Sequence, residues 1–158
     1  MKINTLLIAN RGEIACRIAR TARAQGITPV GVHSEADANA LHVREIGRSI
    51  LIGAGPVSES YLRHDAGLDA PRPVGADAIH PGYGFLAENS DFANAVETAG
   101  MIFVGPTAET LDRFGDKASA KDAAIAAGVP VVSGASGAKS DPAEIAAAVR
   151  EMGFPVLL

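Results

Sequence analysis

The stretch NTLLIANRGEIACRIARTARAQGITPVGVH, residues 4–33, decides the fold of this chain. Its first apolar run, residues 4–9, predicts a strand, and the apolar side chains that follow recur at helical spacing: Ile14, Ile18 and Ala22. Gly26 ends the helix, and a second apolar run over Thr28–His33 predicts another strand. Strands that are apolar throughout belong to parallel sheets covered on both faces, so this stretch predicts a parallel βαβ unit.

The same alternation continues along the chain. Further apolar runs predict strands at residues 49–52, 76–79 and 101–104. A helix is expected to open at Asn89 or Ser90 and to run to Ala99. Strands that alternate with helices predict an α/β fold with a Rossmann-like parallel sheet and helices on both faces.

The pattern changes after Gly105-Pro106, where the predicted strands stop. An alanine-rich helix is expected over residues 116–127, between two glycines. Residues 133–141 are rich in glycine and serine and predict a loop. Asp141-Pro142 then supplies an N-cap and a first-turn proline for a helix that ends near Gly153, and residues 155–158 predict the start of a strand.

The length of 158 residues suits one domain, or one domain and the beginning of a second. The change of pattern divides the chain into residues 1–115 and residues 116–158.

A hydrophobic content of 47% is enough for a packed core. The net charge of -4 argues against nucleic acid or an anionic membrane as a partner. The single cysteine, Cys16, and the short first apolar run predict a cytoplasmic protein without disulfides or a signal peptide.

A glycine-rich turn, HPGYGF at residues 80–85, follows one predicted strand. Proline restricts the backbone and glycine permits unusual conformations, so we expect a shaped turn rather than a floppy one. The turn presents His80 and Tyr83, and Glu88 follows it. From its position alone, His80 is as compatible with hydrogen-bonded scaffolding as with a catalytic base. Tyr83 and Glu88 are also compatible with purely structural roles. Tyr83 would then be a half-buried aromatic, and Glu88 a carboxylate in the first turn of a helix.

Other patterns give weaker signals. A dinucleotide site needs three spaced glycines in the first turn, and this chain has only Gly12 there, although Glu35 stands where a ribose-binding acid would fall. The four histidines have no metal-ligand spacing: His33, His42, His64 and His80. Lys117 stands at a predicted helix N-terminus, which suits a phosphate group, but spacing alone favours a solvated surface lysine there and at Lys121.

Taken together, a longer series of motifs resembles biotin carboxylase over nearly the whole chain. The series is IANRGEI (8–14), SEAD (34–37), SYL (60–62), HPGYGF (80–85), EN (88–89), FVGP (103–106), GDK (115–117) and GVP (128–130). The resemblance is to the N-terminal part of the biotin carboxylase subunit or domain of acyl-CoA and pyruvate carboxylases. It implies that residues 1–115 precede an ATP-grasp domain, whose first helices and strand are residues 116–158.

The resemblance also implies a reaction. In this family, ATP and bicarbonate give carboxyphosphate, which carboxylates biotin on a carrier domain, with magnesium or manganese beside the nucleotide. By the same resemblance, Lys117 holds ATP, Tyr83 and Gly84 line the biotin and bicarbonate side of the cleft, and Glu88 and Asn89 hold the turn's shape. The implied partners are a biotin carboxyl carrier domain and a carboxyltransferase.

The first helix resembles the surface that the family uses for dimerisation, and it carries Arg17 and Arg20. A homodimer through this helix is therefore expected. An alternative function is a non-catalytic interaction or binding module derived from this domain. A stable oligomer would favour that alternative.

Two departures from the family pattern lead to further expectations. Gly67, Pro71 and Pro73 fall where the family has a helix after SYL, so we predict that this helix ends by Ala70. The sequence ends at Leu158, before the family's second nucleotide-binding lysine, glycine-rich phosphate loop and metal-binding carboxylates. We therefore expect no appreciable carboxylase activity from these residues alone.

Overall fold

The computed structural model describes residues 2–132 and 141–156. The strands are β1 (Thr5–Ile8), β2 (Thr28–His33), β3 (Ser49–Leu51), β4 (Ala78–His80) and β5 (Ile102–Phe103). The helices are α1 (Gly12–Ala24), α2 (Leu41–Ile46), α3 (His64–Asp69), α4 (Ser90–Thr98), α5 (Ala108–Gly115), α6 (Lys117–Ala126) and α7 (Pro142–Met152). Four short 3-10 turns lie between them.

The five strands form one parallel sheet in the order β3-β2-β1-β4-β5. β1 is the central strand, and its Leu7 lies opposite Val30 of β2 and Ile79 of β4. The predicted α/β fold with a parallel sheet is confirmed. The five strands predicted before Gly105 are all present, although β4 includes His80 and begins two residues later than expected.

Side chains of β1 alternate between two apolar clusters, one on each face of the sheet. Leu6 and Ile8 pack with α1 and with Ile46 of α2 on one face. Leu7 packs on the other face, in a cluster that includes Phe92 of α4. Because helices cover both faces, three consecutive residues of the central strand are apolar and buried: Leu6, Leu7 and Ile8.

The helix that follows Leu62 is short, as predicted. α3 ends at Asp69, and a separate 3-10 turn over Arg72–Val74 contains the second proline. Proline in a helix interior removes a backbone donor and clashes with the preceding turn, which accounts for the early end. Two helices were not predicted: α2 and α5.

The chain divides into two compact units, Met1–Leu111 and Asp112–Leu158. In the second unit, Asp116 caps α6 and Asp141 caps α7 through hydrogen bonds to backbone N–H groups. Neither helix has a buried residue. The predicted loop over residues 133–141 lies almost entirely outside the described residues. Half of the predicted strand at 155–158 does too, and the described half is not in a strand.

Candidate functional site

The sheet reverses its order at β1, since β2 and β3 lie on one side of it and β4 and β5 on the other. In open parallel sheets, ligands bind at such a reversal, beyond the carboxyl ends of the strands. Here the two segments that meet are residues 9–13, which follow β1, and the glycine-rich turn, residues 80–85, which includes the last residue of β4.

Asn10 joins these two segments. Its side chain is buried, and its Nδ2 donates to the carbonyl oxygens of Pro81 at 2.7 Å and Tyr83 at 2.9 Å. Its Oδ1 accepts from the backbone N–H of Arg11 at 2.8 Å. A single amide side chain thus fixes the glycine-rich turn against the end of the central strand.

Two glycines give the turn its path. Gly82 has φ of +70°, and a Cβ there would lie 2.7 Å from Asn10 Nδ2, so both conformation and space disfavour a side chain. Gly84 has φ of +63° and open space around it, so only its backbone conformation favours glycine. The shaped turn predicted from the sequence is present.

A cavity of about 340 Å³ lies between the two segments. Its lining includes Arg11 and Glu13 on one side and Tyr83, Gly84 and Phe85 on the other. The Tyr83 side chain is exposed, and its hydroxyl donates a hydrogen bond to Glu13 Oε1. This bond to a carboxylate raises the pKa of Tyr83 above its ordinary value.

Beside the cavity, five side chains make mutual contacts that we call the Arg11 cluster: Arg11, Ser34, Asp37, Tyr61 and Phe85. Arg11 Nη1 lies 3.2 Å from Asp37 Oδ2. The guanidinium carbon lies 5.4 Å from the Tyr61 ring centroid and 5.8 Å from that of Phe85. The two rings stack with centroids 5.6 Å apart. Arg11 therefore pairs with a carboxylate and two aromatic faces at once.

One oxygen of Asp37, Oδ2, accepts three hydrogen bonds from other side chains of this cluster. It accepts from Arg11, from Ser34 Oγ at 3.2 Å and from the Tyr61 hydroxyl at 2.7 Å. Burial would raise the pKa of Asp37, but the hydrogen bonds from Tyr61 and Arg11 outweigh it and hold this pKa below its ordinary value. Burial, together with the bond to Asp37, raises the pKa of Tyr61 to about 12.

His80 serves the turn rather than the cavity. Its Nδ1 accepts a hydrogen bond from the backbone N–H of Gly82 at 3.0 Å. Burial lowers the pKa of His80, which favours the neutral ring that can accept this bond. Of the two roles open from the sequence, the structure favours scaffolding.

The other predicted site residues have different positions. Tyr83 and Gly84 line the cavity, whereas Glu88 is exposed at the end of a 3-10 turn and does not line it. Asn89 caps α4, where its Oδ1 accepts from the Phe92 N–H at 2.7 Å. Lys117 lies in the second unit as the first residue of α6.

Sequence reasoning assigned no role to seven residues at this site: Asn10, Arg11, Glu13, Ser34, Asp37, Tyr61 and Phe85. Each of them stands inside a motif that carried the family resemblance. Motif membership was thus the available signal. Their contacts depend on which strand ends become neighbours, and spacing along the chain does not show this.

A larger and mainly apolar groove of about 530 Å³ lies beside α1, and its lining includes Ile14, Arg17 and Ile18. Arg17 donates to Thr21 one turn along the helix, and Arg20 Nη2 lies 3.5 Å from Glu45 Oε2.

Within residues 2–132 and 141–156, no three His, Cys, Asp or Glu side chains cluster as metal ligands. Over the same residues, no helix has the length and apolarity to cross a membrane.

A family profile described as "Biotin carboxylase, N-terminal domain" matches residues 2–111. The chain belongs to the biotin carboxylase family. It is 50% identical over 157 residues to biotin carboxylase of Pseudomonas aeruginosa, a match that covers 99% of this chain and 35% of that protein. It is 47% identical over 156 residues to the mitochondrial methylcrotonoyl-CoA carboxylase subunit alpha of Dictyostelium discoideum, and this match covers 99% of this chain and 22% of that protein.

Solved biotin carboxylases have the same fold. The biotin carboxylase domain dimer of Hydrogenobacter thermophilus 2-oxoglutarate carboxylase, in complex with MgADP and bicarbonate, superimposes with a TM-score of 0.90 at 41% identity. The match covers 98% of this chain and 34% of that one. Biotin carboxylase of Campylobacter jejuni gives a TM-score of 0.90 at 42% identity over the same shares. The chain thus spans about a third of these biotin carboxylases and matches their N-terminal portion.

Proposed function

We propose that this chain acts as the N-terminal part of an ATP-dependent biotin carboxylase, a ligase that uses bicarbonate to carboxylate biotin on a carrier domain. The observation that carries the proposal is the 50% identity to the Pseudomonas aeruginosa enzyme over 99% of the chain. The Hydrogenobacter thermophilus neighbour is described with MgADP and bicarbonate, which supports ATP with magnesium as the nucleotide. Manganese remains part of the proposal by family resemblance, and a cytoplasmic location by the single cysteine and the short first apolar run.

Lys117 is the proposed nucleotide contact. It is the first residue of α6, where a lysine ammonium and backbone N–H groups favour a phosphate. Asp116 occupies part of this end, because its carboxylate accepts from Ser119 N at 2.8 Å. The positive charge of Lys117 therefore supplies the main attraction for the nucleotide.

Tyr83 and Gly84 are the proposed lining of the biotin and bicarbonate side, supported by their position on the cavity wall at the switch point of the sheet. Glu88 and Asn89 are proposed to maintain the turn, which agrees with the helix cap made by Asn89. For the domain division, we propose residues 1–115 as the Rossmann-like domain and residues 116–158 as the start of an ATP-grasp domain.

The 158 residues are proposed to be catalytically incomplete by themselves, because they span about a third of their relatives. No metal ligand is proposed among these residues. A biotin carboxyl carrier domain and a carboxyltransferase are the proposed partners in the complete enzyme.

Nucleotide binding tests the proposal. Titration of the pure chain with magnesium ATP, followed by amide NMR, is expected to shift the signals of Lys117 and its neighbours. Lys117→Gln should weaken this binding about tenfold, as expected when a charge-assisted phosphate contact is lost. Lys121→Gln removes a lysine one turn further along α6 and is the matched control. Equal effects of both substitutions would contradict the assignment of Lys117.

A second candidate function is a non-catalytic interaction module that pairs through α1. The exposed Arg17 and Arg20, and the apolar groove beside them, favour a contact surface there. The dimer described for the Hydrogenobacter thermophilus domain is compatible with either function. Sedimentation velocity separates them. A stable dimer of the chain that fails to bind ATP would favour the module, and a monomer that binds ATP would favour the carboxylase.

A further inference from the structure

We propose that Arg11 is a positioning residue, which holds Phe85 and thereby sets the orientation of Tyr83 and Gly84 in the glycine-rich turn. This inference rests on the proposed function, because it gives Arg11 a part in shaping the substrate side of the cleft. Arg11 does not need to touch a substrate for this role. Its contacts with Asp37, Tyr61 and Phe85 carry the argument.

Phe85 has an unusual backbone conformation. Its φ is +49°, and it is the only non-glycine residue with positive φ across residues 2–132 and 141–156. A Cβ makes this conformation unfavourable, so such residues persist only where their surroundings hold them. Positions of this kind cluster at functional sites. Phe85 directly follows Tyr83 and Gly84, and all three line the same cavity.

The Arg11 cluster supplies the surroundings that hold Phe85. The Phe85 ring stacks on Tyr61 with 16° between the ring planes. The Arg11 guanidinium lies within 6 Å of both ring centroids, since the two distances are 5.4 Å and 5.8 Å. Asp37 holds Arg11 and Tyr61 in place, because its Oδ2 accepts a hydrogen bond from the Arg11 guanidinium and one from the Tyr61 hydroxyl. The ring of Phe85 is therefore held by side chains from other segments.

The connection from Phe85 to Tyr83 is short and covalent. Phe85 begins the 3-10 turn Phe85–Glu88, and the N–H of Ala87 donates to the Gly84 carbonyl at 2.9 Å. At the other end, the carbonyl of Tyr83 accepts from Asn10. The turn is thus held at both ends by adjacent residues, Asn10 and Arg11. Of these two residues, Arg11 acts on the turn through the ring of Phe85, which Tyr61 also stacks on.

The cluster also explains residues that otherwise had no role. Arg11, Asp37, Tyr61 and Phe85 come from four of the separated motifs that carry the family resemblance. The proposed site residues come from only some of these motifs. Positioning of one turn gives all four motifs a common purpose.

The test compares Arg11→Met with Arg23→Met in the full 158-residue chain. Arg23 is a matched control, because it lies on α1 and donates to the carbonyls of Glu45 at 2.8 Å and Ile46 at 3.0 Å. Arg11→Met is expected to speed hydrogen exchange at the Ala87 N–H by about tenfold more than at core amides such as Val30. It should also move the NMR titration of Tyr83, whose hydroxyl bonds to Glu13, toward the ordinary pKa of 10.0. Wild-type behaviour at both positions would overturn the proposal.

Two further variants separate positioning from a general structural role. Arg11→Lys keeps the charge beside Asp37 but lacks the flat guanidinium, so it should leave the exchange at Ala87 fast. Full rescue by lysine would overturn the role of the stack. Phe85→Gly adopts positive φ without strain, and adding Arg11→Met to it should produce no further change at Tyr83. Additive effects would show that Arg11 does not act through Phe85.

These outcomes are independent of ATP binding by Lys117. Neither readout uses ATP, bicarbonate or biotin, so the positioning role can fail while nucleotide binding holds, and the reverse. If Arg11→Met does not fold, Arg11→Lys and Phe85→Gly decide the question. Arg11→Lys keeps the stack of Phe85 on Tyr61, and Phe85→Gly keeps the contacts of Arg11 with Asp37 and Tyr61. A Tyr83 titration unchanged in both variants would overturn the proposal.

Discussion

Tyr61 is predicted to stay protonated up to a pH well above that at which tyrosine ordinarily ionises. The chain has two tyrosines and no tryptophan, so in a Tyr83→Phe variant the ultraviolet absorbance of tyrosinate reports Tyr61 alone. In the folded protein this absorbance should reach half its final value near pH 12, because burial and the bond to Asp37 raise the pKa from 10.0 to about 12. In urea, the same residue should ionise near its ordinary pKa of about 10.

The pKa difference sets a magnitude for stability. A rise from 10.0 to about 12 corresponds to about 3 kcal/mol of preference for the protonated form in the folded state. The folded pKa lies above the unfolded one, so this contribution is complete below about pH 10 and is lost as the pH rises toward about 12. The free energy of unfolding, measured by urea titration, should therefore fall by up to about 3 kcal/mol across this window.

The assay records circular dichroism with each absorbance reading, so that only folded protein is scored. Asp37→Asn, added to the Tyr83→Phe variant, should bring the pKa of Tyr61 closer to 10.0 but still above it, since burial is the larger cause. Asp65→Asn is the control, because this exposed carboxylate pairs with Arg63 and makes no bond to Tyr61. Half-ionisation of folded Tyr61 near pH 10, or equal effects of the two substitutions, would refute the reasoning.

Four further outcomes are expected. Gly82→Ala should lower the free energy of unfolding by about 1–3 kcal/mol in urea titration, because the backbone there has positive φ and an added Cβ would clash with Asn10. Phe92→Ala should cost about 3–5 kcal/mol in the same assay, since this side chain is fully buried, and a loss below about 1 kcal/mol would contradict its place in the core. Asp116→Ala should weaken α6 by about 1 kcal/mol, seen as faster exchange of the Ser119 amide. The pure chain should show no ATP cleavage that depends on bicarbonate and biotin, and such cleavage would disprove its catalytic incompleteness.

Much of the fold was predictable because its strands are buried on both faces. β2 has the predicted bounds, Thr28–His33, and Asn89 caps α4 as one of the two expected positions. Helix α2 was not predicted because it has only six residues and no side-chain cap. Its buried His42 and Ile46 gain their burial from tertiary packing, and the ring of His42 donates through Nε2 to the Val32 carbonyl at 3.1 Å. Short helices of this kind leave little periodicity to read.

The candidate site was less predictable than the fold. The glycine-rich turn was recognisable because proline restricts the backbone and glycine permits positive φ, and both residues can be located in the sequence. The Arg11 cluster was not, because Arg11, Asp37 and Tyr61 stand in three separate segments that meet only when the sheet has formed. Asn10 was missed for the same reason, since its partners lie 71 and 73 residues away.

The position of β1 at the centre of the sheet also has a consequence for biosynthesis. β1 leaves the ribosome before the other four strands of the sheet, and one of its partners, β2, follows soon afterwards. Its other partner, β4, contains Ile79 and His80 and is made only after β2, β3 and three of the helices. Until then, one edge of the most apolar strand has no neighbour, and long-range parallel pairing forms slowly. The nascent chain therefore exposes an aggregation-prone strand edge through most of the synthesis of its first compact unit. Chaperone binding to the chain is expected mainly during this period.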